Sequence, residues 1–278
     1  MHRLVLSLLA LSACACGAET NRYAGYIEGE SVRVASPVAG RLTVLAVARG
    51  VEARAGDPLF TLEQDREQAA VSEATLGITA SRAQVDQAVA QQKLAESNYQ
   101  RLRDLRSREG LASQADLDKA RADLDGARAR VRTLEAQRSA AQAQASQAQW
   151  QLTQKTVAAP VTGLVEDTIY RVGEWVPAGA PVVSLLPPEN RVVRFFVPQA
   201  IAGSLAPGQA VQVHCDGCPA VVAAKLSFIS PQAEYTPPVI YSRDSRQKLV
   251  FLIEARVEPA QAATLHPGQP VDVELGGR

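Results

Sequence analysis

Val34–Leu62 reads VASPVAGRLTVLAVARGVEARAGDPLFTL, and Val157–Leu185 reads VAAPVTGLVEDTIYRVGEWVPAGAPVVSL. The two align without a gap. Pro37, Val38, Gly40, Gly50, Ala55, Gly56, Pro58 and Leu62 fall on Pro160, Val161, Gly163, Gly173, Ala178, Gly179, Pro181 and Leu185. Glycine adopts backbone angles that cost other residues, and proline fixes its own. The short β-branched runs beside these turns, such as VRVAS, LTVLAV and TVAAP, read as strands. One copy has too few strands to bury a core. Two copies packed together bury one, and the chain between them becomes an insertion whose ends lie close.

That insertion, Glu63 to Lys155, has no proline and is rich in Ala, Gln, Arg and Glu, a helical composition. Heptads run through both halves. Val71, Ala74, Ile78, Ser81, Val85, Ala88, Ala95, Tyr99 and Leu102 occupy a and d in the first, with Gln92 the weak member. Leu117, Ala120, Leu124, Ala127, Val131, Leu134, Ala141, Ala145, Ala148 and Leu152 do so in the second, with Arg138 the exception. Several heptads per arm predict a coiled coil. Between the arms, Gly110 suits a helix C-cap. Ser113-Gln-Ala-Asp116 suits an N-cap with an acidic third residue. The expectation is an antiparallel helical hairpin, each arm reaching roughly 65 Å at 1.5 Å per residue. The two half-motifs then clamp the base of a projection whose value is reach.

After Pro187-Pro188 a second β region begins. Arg191–Pro198 reads as a strand, Gln199–Leu205 as a short helix, and Val221–Ile229 and Leu249–Val257 as further strands. LAPGQAVQV (Leu205–Val213) and LHPGQPVDV (Leu265–Val273) form a smaller repeat, each with a Pro-Gly turn before an alternating strand. A compact β-barrel is expected, joined by a strand from Tyr23–Val34.

The chain balances 29 Lys+Arg against 29 Asp+Glu, so no basic field invites nucleic acid. His2 and Arg3 precede an apolar run, Leu4 to Ala13, too short to span a bilayer as a helix. It fits a secretory signal. Leu11-Ser12-Ala13-Cys14 resembles the lipobox of bacterial lipoproteins, which implies lipid on Cys14; an ordinary signal cut nearby is the alternative.

His214-Cys215-Asp216-Gly217-Cys218 is the one local chemical oddity. Asp-Gly is a hairpin-turn dipeptide, and cysteines flanking it would sit near disulfide range. One reading is a disulfide stapling a hairpin in an oxidising compartment. The other is a metal or thiol-redox site using His214 with Cys215 and Cys218. No catalytic constellation emerges: carboxylates lie scattered along helical faces, and no Gly-rich phosphate loop follows a strand. The expectation is no enzyme and no cofactor.

The repeated unit resembles half-motifs of the biotinyl/lipoyl domain. A carrier domain of that family presents a Lys flanked by Met, whereas the only Met here is Met1, so the resemblance implies the fold without the swinging-arm chemistry. The whole order resembles the periplasmic adaptor (membrane fusion) proteins of the haemolysin D family. It runs signal 1–13, linker and barrel strand 14–33, half-motif 34–62, hairpin 63–156, half-motif 157–186 and barrel 187–278. Phe228-Ile-Ser-Pro-Gln-Ala-Glu-Tyr-Thr-Pro237 resembles the YbhG-type adaptors of ABC exporters. The fold class expected is α+β and multidomain, with a split lipoyl-like domain, a coiled-coil hairpin and a C-terminal β-barrel.

The resemblance implies a periplasmic connector, lipid-anchored to the inner membrane and assembled as a ring, often of six protomers. It would join an inner-membrane transporter, of the ABC type or alternatively proton-driven, to a TolC-type outer-membrane channel. Such adaptors carry an Arg, a Leu and a Ser around the hairpin tip for the channel contact. In RLRDLRSREGLASQADLDKA (Arg101–Ala120) these are Arg101, Leu105 and Ser113. Each has a plainer reading: a solvated charge, a packing residue beside Leu117, and a helix cap.

Overall fold

The computed structural model describes residues 21–109, 111–216, 218, 220–235 and 249–276. Strands β1 (Arg22–Gly29), β2 (Val32–Ala35), β3 (Gly40–Leu45), β4 (Glu52–Ala53) and β5 (Pro58–Leu62) lead into two long helices, α1 (Asp65–Glu109) and α2 (Gln114–Thr153). Then come β6 (Thr156–Ala158), β7 (Gly163–Thr168), β8 (Trp175–Val176) and β9 (Pro181–Leu186). Last are β10 (Arg191–Pro198), α3 (Gln199–Ala202), β11 (Ala210–Cys215), β12 (Val222–Tyr235), β13 (Leu249–Val257), α4 (Pro259–Ala262) and β14 (Pro270–Leu275). These elements form two compact units: Val32–Leu185, and a second built from β1 with everything from Leu186 on.

In the first unit the repeated half-motifs interleave. One sheet has the order β2-β9-β7-β4 and the other β6-β5-β3-β8, so each copy gives two strands to each sheet. Exchanging the copies maps one sheet onto the other, and the hydrogen bonds follow. Gly50 N–H donates to Val165 O and Gly173 N–H to Leu42 O, both at 2.8 Å. Gly56 N–H donates to Ala159 O at 2.9 Å and Gly179 N–H to Ser36 O at 2.8 Å. All four glycines have positive φ, between 76° and 98°, which is why the turns are written with glycine in both copies. The pseudo-symmetric core is Leu42, Leu59, Phe60 and Leu62 with Val165, Val182, Val183 and Leu185, all essentially buried.

The hairpin helices bury the heptad positions. Val85, Ala88, Ala120, Leu124 and Val131 are buried and the other a and d residues are half-buried, Gln92 and Arg138 among them. The Arg138 Nε is enclosed in this seam without a hydrogen-bond partner. Stability here comes from the packed stripe rather than from isolated helices. Gly77 weakens α1 because glycine costs about 1 kcal/mol against alanine in a helix. A methyl group at Gly77 meets nothing within 4 Å. Gly77→Ala is therefore expected to stabilise the hairpin by about 1 kcal/mol, read by thermal unfolding of the helical circular-dichroism signal.

The second unit is a closed barrel in the order β1-β10-β13-β12-β11-β14. Its interior follows strand alternation: Val193, Phe195 and Val197 from β10, Ile253 and Ala255 from β13, Val271 and Val273 from β14. It is also a repeat of strand, short helix, Pro-Gly turn and strand. Gly208 N–H donates to Leu226 O and Gly268 N–H to Ile27 O, both at 2.8 Å. The short helix after β10 is one turn, Gln199–Ala202, and stops before the expected Leu205. Gly25 lets β1 approach β10, since a Cβ there would lie 2.4 Å from Arg194 O.

Candidate functional site

The hairpin tip is built by where each helix stops. α1 carries Arg106 and Arg108 in its last turn, placed to favour the negative end of its dipole. α2 starts at a complete cap: the Ser113 hydroxyl accepts from Asp116 N–H at 3.1 Å and donates to the Asp116 carboxylate at 2.6 Å. Ser113 is exposed yet its hydroxyl is occupied by the cap. Arg101 is exposed, and Leu105 stands one turn further along α1, half-buried on the side facing α2. Leu111, not among the residues expected to make the channel contact, is 74% exposed between the helices. An apolar residue in a two-helix connection was the signal for it. Near the tip Arg101 and Leu111 are thus exposed, beside the Ser113 cap that starts α2. Gly110 and Cys14 lie outside the described residues.

Polar groups fix the hairpin's base. Lys155 follows α2 and is buried, its Nζ 3.0 Å from the Glu67 carboxylate of α1 and donating to Ala39 O at 2.8 Å. Ser36, fully buried, donates to Val38 O and Gln154 O. One cation and one hydroxyl therefore tie both helices to the first half-motif.

In the barrel unit, Cys215 and Cys218 are joined as a disulfide, with Cα atoms 5.5 Å apart. The turn expected between the two cysteines is present, but the β11–β12 hairpin does not close on it directly. β11 and β12 last pair at Val213 and Val222, so the connection spans residues 214–221. The cysteines are the first and fourth residues of a turn inside it, closed by Cys218 N–H donating to Cys215 O. β11 continues past that point because it still pairs β14, through Cys215 and Val271. His214 Nε2 lies 3.1 Å from the Glu274 carboxylate, which also accepts from Arg22. Among the described residues, no three of His, Cys, Asp or Glu are placed to hold one metal ion.

Two arginines in the barrel were unremarkable in the sequence. Arg191 is buried, and its Nη1 donates to the carbonyls of Ala262, Ala263 and Leu265 at 2.6–3.0 Å, capping the end of α4. Burial lowers its pKa. Burial also pulls on Arg194, but hydrogen bonding and charge from Glu254 and Glu28 outweigh it and raise that pKa.

No family model matches the chain. Over 125 residues it is 30% identical to the UPF0194 membrane protein YbhG of Salmonella gallinarum, a match covering 45% of this chain and 38% of that protein. The same values hold for YbhG of Salmonella newport. MacA from Actinobacillus actinomycetemcomitans superposes with a TM-score of 0.76 at 20% identity, over 92% of this chain and 78% of that one. The membrane fusion protein Spr0693 from Streptococcus pneumoniae R6 gives 0.63 at 20% identity, over 92% and 99%. The chain has the membrane fusion protein fold. A MacA chimera carrying the MexA α-hairpin of Pseudomonas aeruginosa also matches, at 0.55 and 17% identity over 91% and 79%. The membrane fusion fold accounts for the split lipoyl-like domain, hairpin and barrel together, as the fold class read from the sequence requires. At these identities the likeness is one of fold, and the curated match spans well under half of YbhG. Among the described residues no helix is long and apolar enough to cross a membrane.

Proposed function

We propose that this chain is the periplasmic adaptor of a tripartite exporter. It links an inner-membrane transporter to a TolC-type outer-membrane channel and catalyses nothing itself. The single observation that carries the reading is the hairpin: two helices of 45 and 40 residues, anchored at one end by Lys155, Glu67 and Ser36 and capped at the other by Ser113. At 1.5 Å per residue they reach about 60 Å, a length that suits a connector. Likeness to a membrane fusion protein over nearly the whole chain supports it. In this reading Arg101, Leu105 and Ser113 meet the channel, with Ser113 acting through the cap and Leu111 adding an exposed apolar contact. Lipid on Cys14 holds the chain to the inner membrane. The transporter is of the ABC type, on the resemblance to YbhG-type adaptors; a proton-driven pump is the alternative.

In-cell photo-crosslinking tests the reading. A crosslinker at Leu105 or Ala112 is expected to capture a TolC-type channel, and Arg101→Asp to reduce capture at least tenfold, the scale of an interface hot spot. Capture of nothing by an exported, folded protein would defeat the channel contact. The rival reading, metal or thiol-redox chemistry at Cys215 and Cys218, requires stoichiometric thiolate-dependent metal binding. Titration of the wild type and Cys215→Ser is expected to show none.

A further inference from the structure

Strand alternation gives the barrel an outer face as well as a core, and across β1, β10, β13 and β12 the outer face carries large apolar side chains. The register sets Tyr26 opposite Arg194, Arg194 opposite Glu254 and Glu254 opposite Phe228, one rank across four neighbouring strands. The next rank sets Phe196 opposite Leu252. Tyr26, Phe196, Leu252 and Phe228 are therefore successive diagonal neighbours around a central ion pair, within reach of one another. Phe228 is 44% exposed and Tyr26 38%, while Phe196 and Leu252 are half-buried. None of the four packs into the barrel's core. Such a patch on a solvent face marks an interaction surface.

On the far side of the Tyr26–Phe228 rank, Lys225 stands opposite Arg256. Both are exposed, and neither makes an ion pair among the described residues. Like charges directly opposite on neighbouring strands destabilise a sheet. The pair therefore favours an anion from outside. The carboxylates of this face do not supply one, because Glu28, Glu30 and Glu254 are gathered round Arg194.

A lipid surface matches both halves. The face is the outside of a closed barrel and so convex, which suits a broad surface rather than a small ligand. Aromatic and leucine side chains enter the boundary between headgroups and acyl chains, and neighbouring Lys and Arg meet anionic headgroups. The path of the chain agrees. Tyr26 lies on β1, and only residues 15–21 separate Cys14 from that strand. With lipid on Cys14, this link holds the start of β1 within roughly 28 Å of the bilayer, at 3.5 Å per residue.

We propose that this face of the barrel rests on the bilayer, with Tyr26, Phe196, Leu252 and Phe228 at the headgroup boundary and Lys225 and Arg256 on anionic phospholipid. This deepens the adaptor reading and rests on it for the lipid on Cys14, while its own evidence is the barrel's surface. The test is flotation of the chain from Ala15 onward, made without an acyl group, with vesicles of phosphatidylethanolamine and phosphatidylglycerol. Binding is expected, and Tyr26→Glu with Phe228→Glu should weaken it at least tenfold by setting carboxylates against the headgroups. Lys225→Ala with Arg256→Ala should weaken it about tenfold on these vesicles and leave the lower binding to phosphatidylcholine vesicles unchanged. Val221→Glu, at an exposed apolar residue outside the patch, should change neither. Each variant is checked for the wild-type circular-dichroism spectrum. No flotation, or flotation indifferent to Tyr26→Glu with Phe228→Glu, overturns the proposal. So does a photo-crosslinker at Phe228 that captures a membrane protein and no phospholipid in cells. A crosslinker at Leu105 separates the two claims. Channel capture there without vesicle binding removes the lipid face and keeps the adaptor; vesicle binding without channel capture does the reverse.

Discussion

Lys155→Met is expected to destabilise the lipoyl-like unit by about 3 kcal/mol, because it removes one partner of a buried ion pair and leaves the other uncompensated. Glu67 keeps its carboxylate mostly enclosed, its side chain 18% exposed, beside the unpaired Ala39 carbonyl. Gly40 leaves room for the ammonium, since a Cβ there would lie 3.1 Å from the Lys155 Nζ. The double variant Lys155→Met with Glu67→Leu should recover most of the loss, since replacing both ions with apolar groups is close to neutral. Denaturant unfolding of the full chain checks the size. Limited proteolysis near residues 63 and 155 checks the place. If the single and double variants lose stability equally, the pair is not what fixes the base.

Arg191→Leu is expected to cost about 2 kcal/mol in the barrel, by removing the donor shared by the carbonyls of Ala262, Ala263 and Leu265, the first and last of them in buried residues. Leu keeps much of the volume and packs against the same apolar surroundings, so the effect reads the hydrogen bonds and charge rather than a cavity. Arg191→Lys should fall between, because a single ammonium reaches fewer of the three carbonyls of Ala262, Ala263 and Leu265. The barrel's β-sheet circular-dichroism transition measures both. A barrel that unfolds at the wild-type temperature in Arg191→Leu would show the cap to be dispensable.

The repeat was legible because turn chemistry is local. Gly50, Gly56, Gly173 and Gly179 each take a positive φ, and only glycine does so cheaply, so the punctuation survives where the rest of the two copies diverged. The hairpin was legible because heptads are periodic, and the half-buried Gln92 and Arg138 fall where the register puts them despite their chemistry. Lys155 was not legible. A lysine after a charged helix reads as solvated, and its burial depends on Ala39 and Glu67, which lie far away in sequence. Arg191 failed for the same reason, since the end of α4 that it caps is some seventy residues downstream. The turn between Cys215 and Cys218 was legible from the Asp-Gly dipeptide, whereas the longer connection around it was not, because β11 continues beside β14 after it leaves β12. At the tip, Ser113 was readable as a cap, but a cap and a contact use the same residue, and no local rule separates them.

The central claim is that this chain joins a pump to a channel. The most direct measurement is isolation of the full, tagged chain from gently crosslinked cell envelopes, with identification of whatever co-purifies. An inner-membrane transporter and a TolC-type outer-membrane channel are expected together, with the channel lost and the transporter kept when Arg101→Asp and Leu105→Asp are combined. Recovery of this chain alone, or of a transporter whose channel partner is indifferent to the hairpin tip, would contradict it.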